Sequence, residues 1–129
     1  MNVDKKRILV VDDDTDILRI FKSILEKEGY IVETAETGRE ALGKIGNEKF
    51  DVCLIDVKLP DMDGTEILRR MSNNPETIKI IVTGFSSDEV GKKAADYGAD
   101  DFLVKPVKPE ELIATVRDRL GTKEIESQV

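Results

Sequence analysis

The sequence predicts an α/β fold, a doubly wound five-stranded parallel sheet covered by helices, and three observations predict it. Short, predominantly apolar runs recur at 8–11, 52–55, 78–82 and 102–104, the pattern of strands buried on both faces. Between them lie stretches whose apolar residues return every third or fourth position, as one buried helix face requires. Strand and helix patterns alternate along the chain, and such alternation closes into a parallel sheet through right-handed crossovers. At 129 residues this is one domain, large enough to bury roughly two thirds of its unfolded surface.

The first strand, Ile8-Leu9-Val10-Val11, runs straight into Asp12-Asp13-Asp14. Asp14 is placed to cap the next helix, whose stripe is Ile17, Leu18, Ile20, Phe21, Ile24 and Leu25 and whose stop is Gly29. Residues 30–35 read as the second strand. Thr37 and Glu40 have the spacing of a capping box, opening a helix through Ala41, Leu42 and Ile45. The third strand, Val52-Cys53-Leu54-Ile55, delivers Asp56 to its end, and Pro60 stops the ladder. After the turn at 60–64 comes a helix with Ile67, Leu68 and Met71, ending near Asn73-Asn74-Pro75. The fourth strand, 78–82, ends at Thr83-Gly84.

Ser86 and Glu89 repeat the capping spacing before a helix that reaches Tyr97, with Gly98 as its stop. That helix is weak: little beyond Val90, Ala94 and Ala95 faces inward, and Gly91 in its interior costs about 1 kcal/mol relative to Ala. The last strand, Phe102-Leu103-Val104, ends at Lys105-Pro106. Pro109, at a first-turn position, opens a final helix with Leu112, Ile113, Val116 and Leu120. The domain is therefore expected over residues 1–120, with 121–129 as a polar tail or the start of a linker.

Charged residues make up 36% of the chain and the net charge is −7. Direct nucleic-acid or anionic-lipid binding is not expected, because phosphate contacts need clustered Lys and Arg. Histidine is absent, which removes histidine-based triads, His-ligated zinc and any phosphohistidine on this chain. The single cysteine, Cys53, lies inside an apolar strand and reads as a small core hydrophobe, suited to a reducing cytoplasm. The Met1-Asn2-Val3-Asp4 start lacks the pattern of a secretory signal, and no apolar run approaches the roughly 18 residues of a membrane span. A soluble cytoplasmic protein is expected.

Four strand ends carry distinctive chemistry: Asp12 and Asp13, then Asp56, then Thr83 with Gly84, then Lys105. In a doubly wound sheet these carboxyl ends share one edge, where ligands bind. Two unit charges about 4 Å apart repel by about 4 kcal/mol at an effective dielectric near 20, so three clustered carboxylates ask for a cation. Hard oxygen ligands suit Mg²⁺ or Mn²⁺. Thr83 adds a hydroxyl, Gly84 a backbone N–H and Lys105 a compact positive charge. Those are the parts of a phosphoryl-transfer site, in which positioning and charge neutralisation do most of the catalysis. Singly, each has a plainer reading: the Asp triplet as a cap, Thr83 as a strand end, Lys105 as a surface lysine, Phe102 as core. Their convergence on one edge favours the chemical one.

The ordered set Val10-Val11-Asp12-Asp13, Leu54-Ile55-Asp56, Leu59-Pro60-Asp61-Met62-Asp63-Gly64, Thr83-Gly84 and Lys105-Pro106 resembles the receiver domains of two-component response regulators, the CheY-like family. The likeness runs over about residues 6–120. It implies a (βα)5 flavodoxin-like sheet with strand order 2-1-3-4-5. It also implies Asp56 as the phosphoacceptor, Asp13 as a direct Mg²⁺ ligand, Asp12 acting mainly through water, and the Lys58 carbonyl as a further ligand. Thr83 and Lys105 would contact the phosphoryl group, a cis bond would precede Pro106, and Phe102 falls at the family's aromatic switch position, without a tyrosine's hydroxyl.

The resemblance implies partners as well. With no histidine here, the donor is a phosphohistidine on a sensor histidine kinase or a histidine phosphotransfer protein. Phosphorylation would draw in Thr83, let Phe102 turn inward, and reshape the face of the fourth helix, last strand and last helix for a downstream effector. The effector's identity, and pairing of phosphorylated copies, stay open. Lys58 and Phe85 flank the site and are expected to govern entry of the hydrolytic water. The domain is not expected to be an enzyme beyond its own phosphorylation and slow dephosphorylation. Two rivals remain. A haloacid-dehalogenase-type hydrolase also uses a strand-end Asp, but needs a second acid where this chain has Lys58. A phosphorylation-independent binding module would not need Asp13, Asp56, Thr83 and Lys105 together.

Overall fold

The computed structural model describes residues 5–127; the Met1-Asn2-Val3-Asp4 start and the last two positions of the expected tail lie outside them. The elements run β1 (Arg7–Val11), α1 (Thr15–Lys27), β2 (Ile31–Ala35), α2 (Gly38–Asn47), β3 (Val52–Ile55), α3 (Gly64–Arg70), β4 (Ile78–Thr83), α4 (Asp88–Asp96), β5 (Asp101–Val104) and α5 (Pro109–Ser127). All the strand pairings are parallel, in the order β2-β1-β3-β4-β5. The expected doubly wound sheet is present, in the flavodoxin-like order.

Alternate side chains of one strand point to opposite faces, so each apolar run feeds two cores. Ile8, Val10, Val52, Leu54, Ile80 and Val82 pack under α1 and α5 against Leu18, Phe21, Leu25, Leu112 and Val116. Leu9, Val11, Cys53, Ile55 and Ile81 face the other way, against Ala41, Ile67, Leu68, Met71 and Ala94. Each fully buried Leu or Ile contributes about 1.5–3 kcal/mol, which favours β1, β3 and β4 in the central places of the sheet. β4 carries one exception: Lys79 is 6% exposed, and its ammonium donates to the Asn74 carbonyl at 2.9 Å. Burial pulls its pKa below the usual lysine range.

Several ends fall where the residues ask for them. The Asp14 side chain accepts from the Asp16 and Ile17 amides at the start of α1. Gly29 and Gly98 have φ of 95° and 91°, the left-handed conformation that ends a helix and suits glycine. Other ends move. Glu40 accepts from the Glu36 amide, not from Thr37, so the box at α2 is half formed. Ser87, not Ser86, caps α4, accepting from the Val90 amide. α3 stops at Arg70, with Met71 as its cap, short of the asparagines.

Three expectations need correction. Ile20 is 47% exposed, because the buried face of α1 is centred on Leu18, Phe21 and Leu25 and one step along a helix turns a residue by about 100°. Ala95 is exposed for the same reason, Ala94 taking the inward position. The expected tail is largely helix: α5 continues through Gly121 to Ser127. There the Lys123 ammonium donates to the Pro75 carbonyl at 2.8 Å, and Lys6 lies 3.9 Å from Glu124.

α4 is the thinly anchored helix, with Ala94 its one buried residue. A Cβ added at Gly91 meets nothing within 4 Å, so Gly91→Ala should stabilise the protein by about 1 kcal/mol, raising its urea midpoint. A lowered midpoint would show that glycine is not what loosens α4.

Candidate functional site

Backbone bonds fix the site before any side chain acts. The sheet ladder continues one residue past three strands: the Asp12 amide donates to Ala35, Asp56 to Val11 and Lys105 to Thr83, each at 3.0 Å. Asp12, Asp56 and Lys105 are therefore held on one rim by main chain alone. Between them, the Lys105 ammonium donates to Asp12 Oδ2 at 2.5 Å and to Asp56 Oδ2 at 3.0 Å. Asp12 Oδ1 accepts from the Asp14 amide at 2.9 Å. Asp56 Oδ1 is left over: among the described residues it is the one buried side-chain polar atom without a hydrogen-bond partner.

Carboxylate oxygens of Asp12, Asp13 and Asp56 lie within 4.8 Å of one another. Asp12 and Asp56 are buried, at 3% and 7% exposure, and Asp13 is exposed. Burial pushes the Asp12 carboxyl above the usual carboxylate range, against the hydrogen bond from Lys105. At Lys105, burial works downward, but the bonds to Asp12 and Asp56 outweigh it and hold the ammonium above the usual lysine range. Lys105 thus stays charged near neutral pH, a counter-ion to two carboxylates. Three hard anionic donors this close together, one of them on the exposed Asp13, fit a small divalent cation.

The loop after Asp56 is tightly closed. The Gly64 amide donates to the Val57 carbonyl at 2.6 Å, and Lys58 bridges Asp63 across the turn. Asp63 caps α3, accepting from the Thr65 amide and hydroxyl. The exposed Lys58 ammonium sits 3.9 Å from the centroid of the Phe85 ring, a cation–π contact. Thr83 is fully buried, and its hydroxyl oxygen accepts from the Phe85 amide at 3.1 Å, which leaves the hydroxyl proton to donate elsewhere. Phe102 is half-buried against the core on the α4 side, and the Lys105–Pro106 bond is cis.

Other candidate groups lie away from this rim. Cys53 lines a cavity of about 290 Å³ with Phe50, Met71 and Thr77, and burial pushes its thiol up to about 12, so it is no nucleophile. Asp61 was legible only as part of a motif. Its contacts with α2 are invisible to any local pattern, because they cross more than twenty residues.

The structural rim and the ordered motifs are matched by comparison with known proteins. The family model for the response regulator receiver domain matches residues 8–117. The chain belongs to the response regulator receiver domain family. A CheY-like receiver domain from Methanospirillum hungatei superposes with a TM-score of 0.93 at 48% identity, covering 95% of this chain and 99% of that one. The chemotaxis protein CheY4 of Vibrio cholerae also superposes, with a TM-score of 0.84 at 35% identity, covering 89% of this receiver and 98% of CheY4. In sequence, the receiver is 38% identical over 121 residues to the alkaline phosphatase synthesis transcriptional regulatory protein PhoP of Bacillus subtilis, covering 93% of this chain and 50% of PhoP. The response regulator MprA of Mycolicibacterium vanbaalenii is 41% identical over 113 residues, 86% of this chain and 48% of MprA. The chain spans about half the length of these curated relatives. Membership of this family sets aside the haloacid-dehalogenase alternative.

Proposed function

We propose that this receiver takes a phosphoryl group on Asp56 from a phosphohistidine of a histidine kinase or phosphotransfer protein, with Mg²⁺ required. One observation carries the reading: Asp56 Oδ1 is buried and unpartnered while Oδ2 is held by Lys105. A nucleophile fixed at one oxygen and free at the other is oriented for in-line attack. The Oδ1–P bond forms as the P–N bond of the donor breaks, and the electron pair stays on the donor imidazole, which takes up a proton. Asp12, Asp13, Asp56 and the Lys58 carbonyl would hold Mg²⁺, which neutralises charge on the phosphoryl oxygens when bound. Lys105 pairs with the incoming oxygens, and the Thr83 hydroxyl proton is available to them.

The acyl phosphate adds about two negative charges and three acceptor oxygens. Drawing Thr83 toward them loosens its bond with the Phe85 amide, opens room for Phe102, and reshapes the α4-β5-α5 face for an effector or a second phosphorylated copy. Weak packing of α4 makes that shift small in energy. No described helix is long and apolar enough to cross a membrane, and the unit proposed to carry the activity is residues 1–120, followed by the rest of α5.

Incubation with acetyl phosphate and Mg²⁺ tests the reading: intact mass should rise by one phosphoryl group, and not when Mg²⁺ is chelated. A protein that binds partners equally well with no mass gain would instead be the phosphorylation-independent module. The Lys58–Phe85 contact also predicts a lifetime. Losing a cation–π pair of about 0.5–1 kcal/mol should let water in faster, so Phe85→Ala should shorten the phospho-Asp56 lifetime by roughly two- to fivefold. An unchanged or longer lifetime, followed by mass, would count against shielding.

A further inference from the structure

We propose that Asp61 is a positioning residue for the phosphoryl-transfer site, fastening the loop that bears the Lys58 carbonyl to the amino end of α2. The inference rests on the reading of Lys58 as a Mg²⁺ ligand given above. The base of this loop is closed by the Gly64–Val57 bond and the Lys58–Asp63 bridge, but neither reaches beyond β3 and α3, the elements that flank it. Its apex does. Asp61 Oδ1 accepts from the Gly38 amide at 2.8 Å and Oδ2 from the Arg39 amide at 2.9 Å.

A helix start exposes unpaired amides and the positive end of the helix dipole. In α2, the Thr37 side chain accepts from the Glu40 amide and its carbonyl from the Ala41 amide, and Asp61, far off in sequence, supplies the acceptors for the first two. Those two backbone bonds also hold the Asp61 carboxyl below its usual range. Met62 completes the seat. A Cβ on Gly38 would lie 2.4 Å from Met62 Cγ and 2.5 Å from its Sδ, so glycine at this position is what lets the loop settle onto α2.

A metal-ligating carbonyl works only if its loop is held to within fractions of an ångström, and partners behind a ligand typically contribute tenfold or more to metal affinity. The experiment is a Mg²⁺ titration of the full chain followed by amide chemical shifts, together with the Mg²⁺ dependence of phosphorylation by acetyl phosphate. Asp61→Ala should raise the Mg²⁺ dissociation constant about tenfold and shift half-saturation to match, while the rate at saturating Mg²⁺ stays within about twofold of the wild type. Asp61→Asn keeps the shape and one acceptor oxygen, so it should fall between; it carries the test alone if Asp61→Ala loses α2. Unchanged Mg²⁺ affinity in Asp61→Asn and in folded Asp61→Ala would overturn the proposal while leaving the proposed function standing. A wild-type protein that neither binds Mg²⁺ nor gains a phosphoryl group would overturn both.

Discussion

Asp56→Asn should leave the protein folded and cut phosphoryl uptake from acetyl phosphate by at least about a hundredfold. The size of the loss follows from the state of the two neighbouring carboxylates, which could in principle substitute. Asp12 has both oxygens engaged, one by the Asp14 amide and one by Lys105. Attack from either would first break a bond in a buried place. Asp13 is exposed, so it is hydrated and free to rotate, and gains nothing from orientation. Only Asp56 offers an oxygen that is both desolvated and unoccupied. The amide of the variant can still accept from Lys105, and removing one charge from the cluster relieves repulsion, so the fold should survive without a divalent ion. Intact mass decides the matter. Uptake in Asp56→Asn above about a tenth of the wild-type level would mean that Asp12 or Asp13 is the acceptor.

The rim was legible in the sequence because strand ends are local events. An apolar run that breaks at a charged or hydroxyl residue shows where Asp12, Asp56, Thr83 and Lys105 sit along their strands, and main-chain bonds one residue past β1, β3 and β5 then fix Asp12, Asp56 and Lys105 in place. Strand order was not legible that way. Nothing in the periodicity of residues 31–35 or 101–104 says which of these strands takes which edge; resemblance supplied it, and the pairing confirms it. Contacts that cross the chain were hidden altogether. Lys79 is tolerated inside β4 because the Asn74 carbonyl is there to receive it. α5 passes Gly121 where Lys123 reaches Pro75 and Glu124 approaches Lys6. Ile20 and Ala95 failed for a subtler reason: an apolar stripe marks a helix face only to within a residue's turn, and neighbouring elements choose its centre.

Gly64→Ala should cost more than any other single methyl added at a glycine near the site. The new Cβ would stand 1.9 Å from the Asp56 carbonyl oxygen, 2.8 Å from the Asp56 carbonyl carbon and 3.0 Å from Val57 Cα. All three are backbone atoms, so none can rotate aside. Gly38 offers the contrast, because a Cβ there meets the Met62 side chain, which is flexible and can swing out at the price of its seat on α2. Overpacking a core usually costs about 1–3 kcal/mol; with rigid main chain on both sides of the contact, Gly64→Ala should reach about 3 kcal/mol or beyond, read as a fall in the urea midpoint, and Gly38→Ala about 1 kcal/mol. Relief requires either α3 or the end of β3 to shift, and the Gly64 amide already ties the two together through Val57 at 2.6 Å. Because the crowded carbonyl belongs to Asp56 itself, molecules that remain folded should also take up phosphoryl groups more slowly. A Gly64→Ala protein as stable and as readily phosphorylated as the wild type would show that α3 does not press on β3 and that the acceptor is held by the sheet alone.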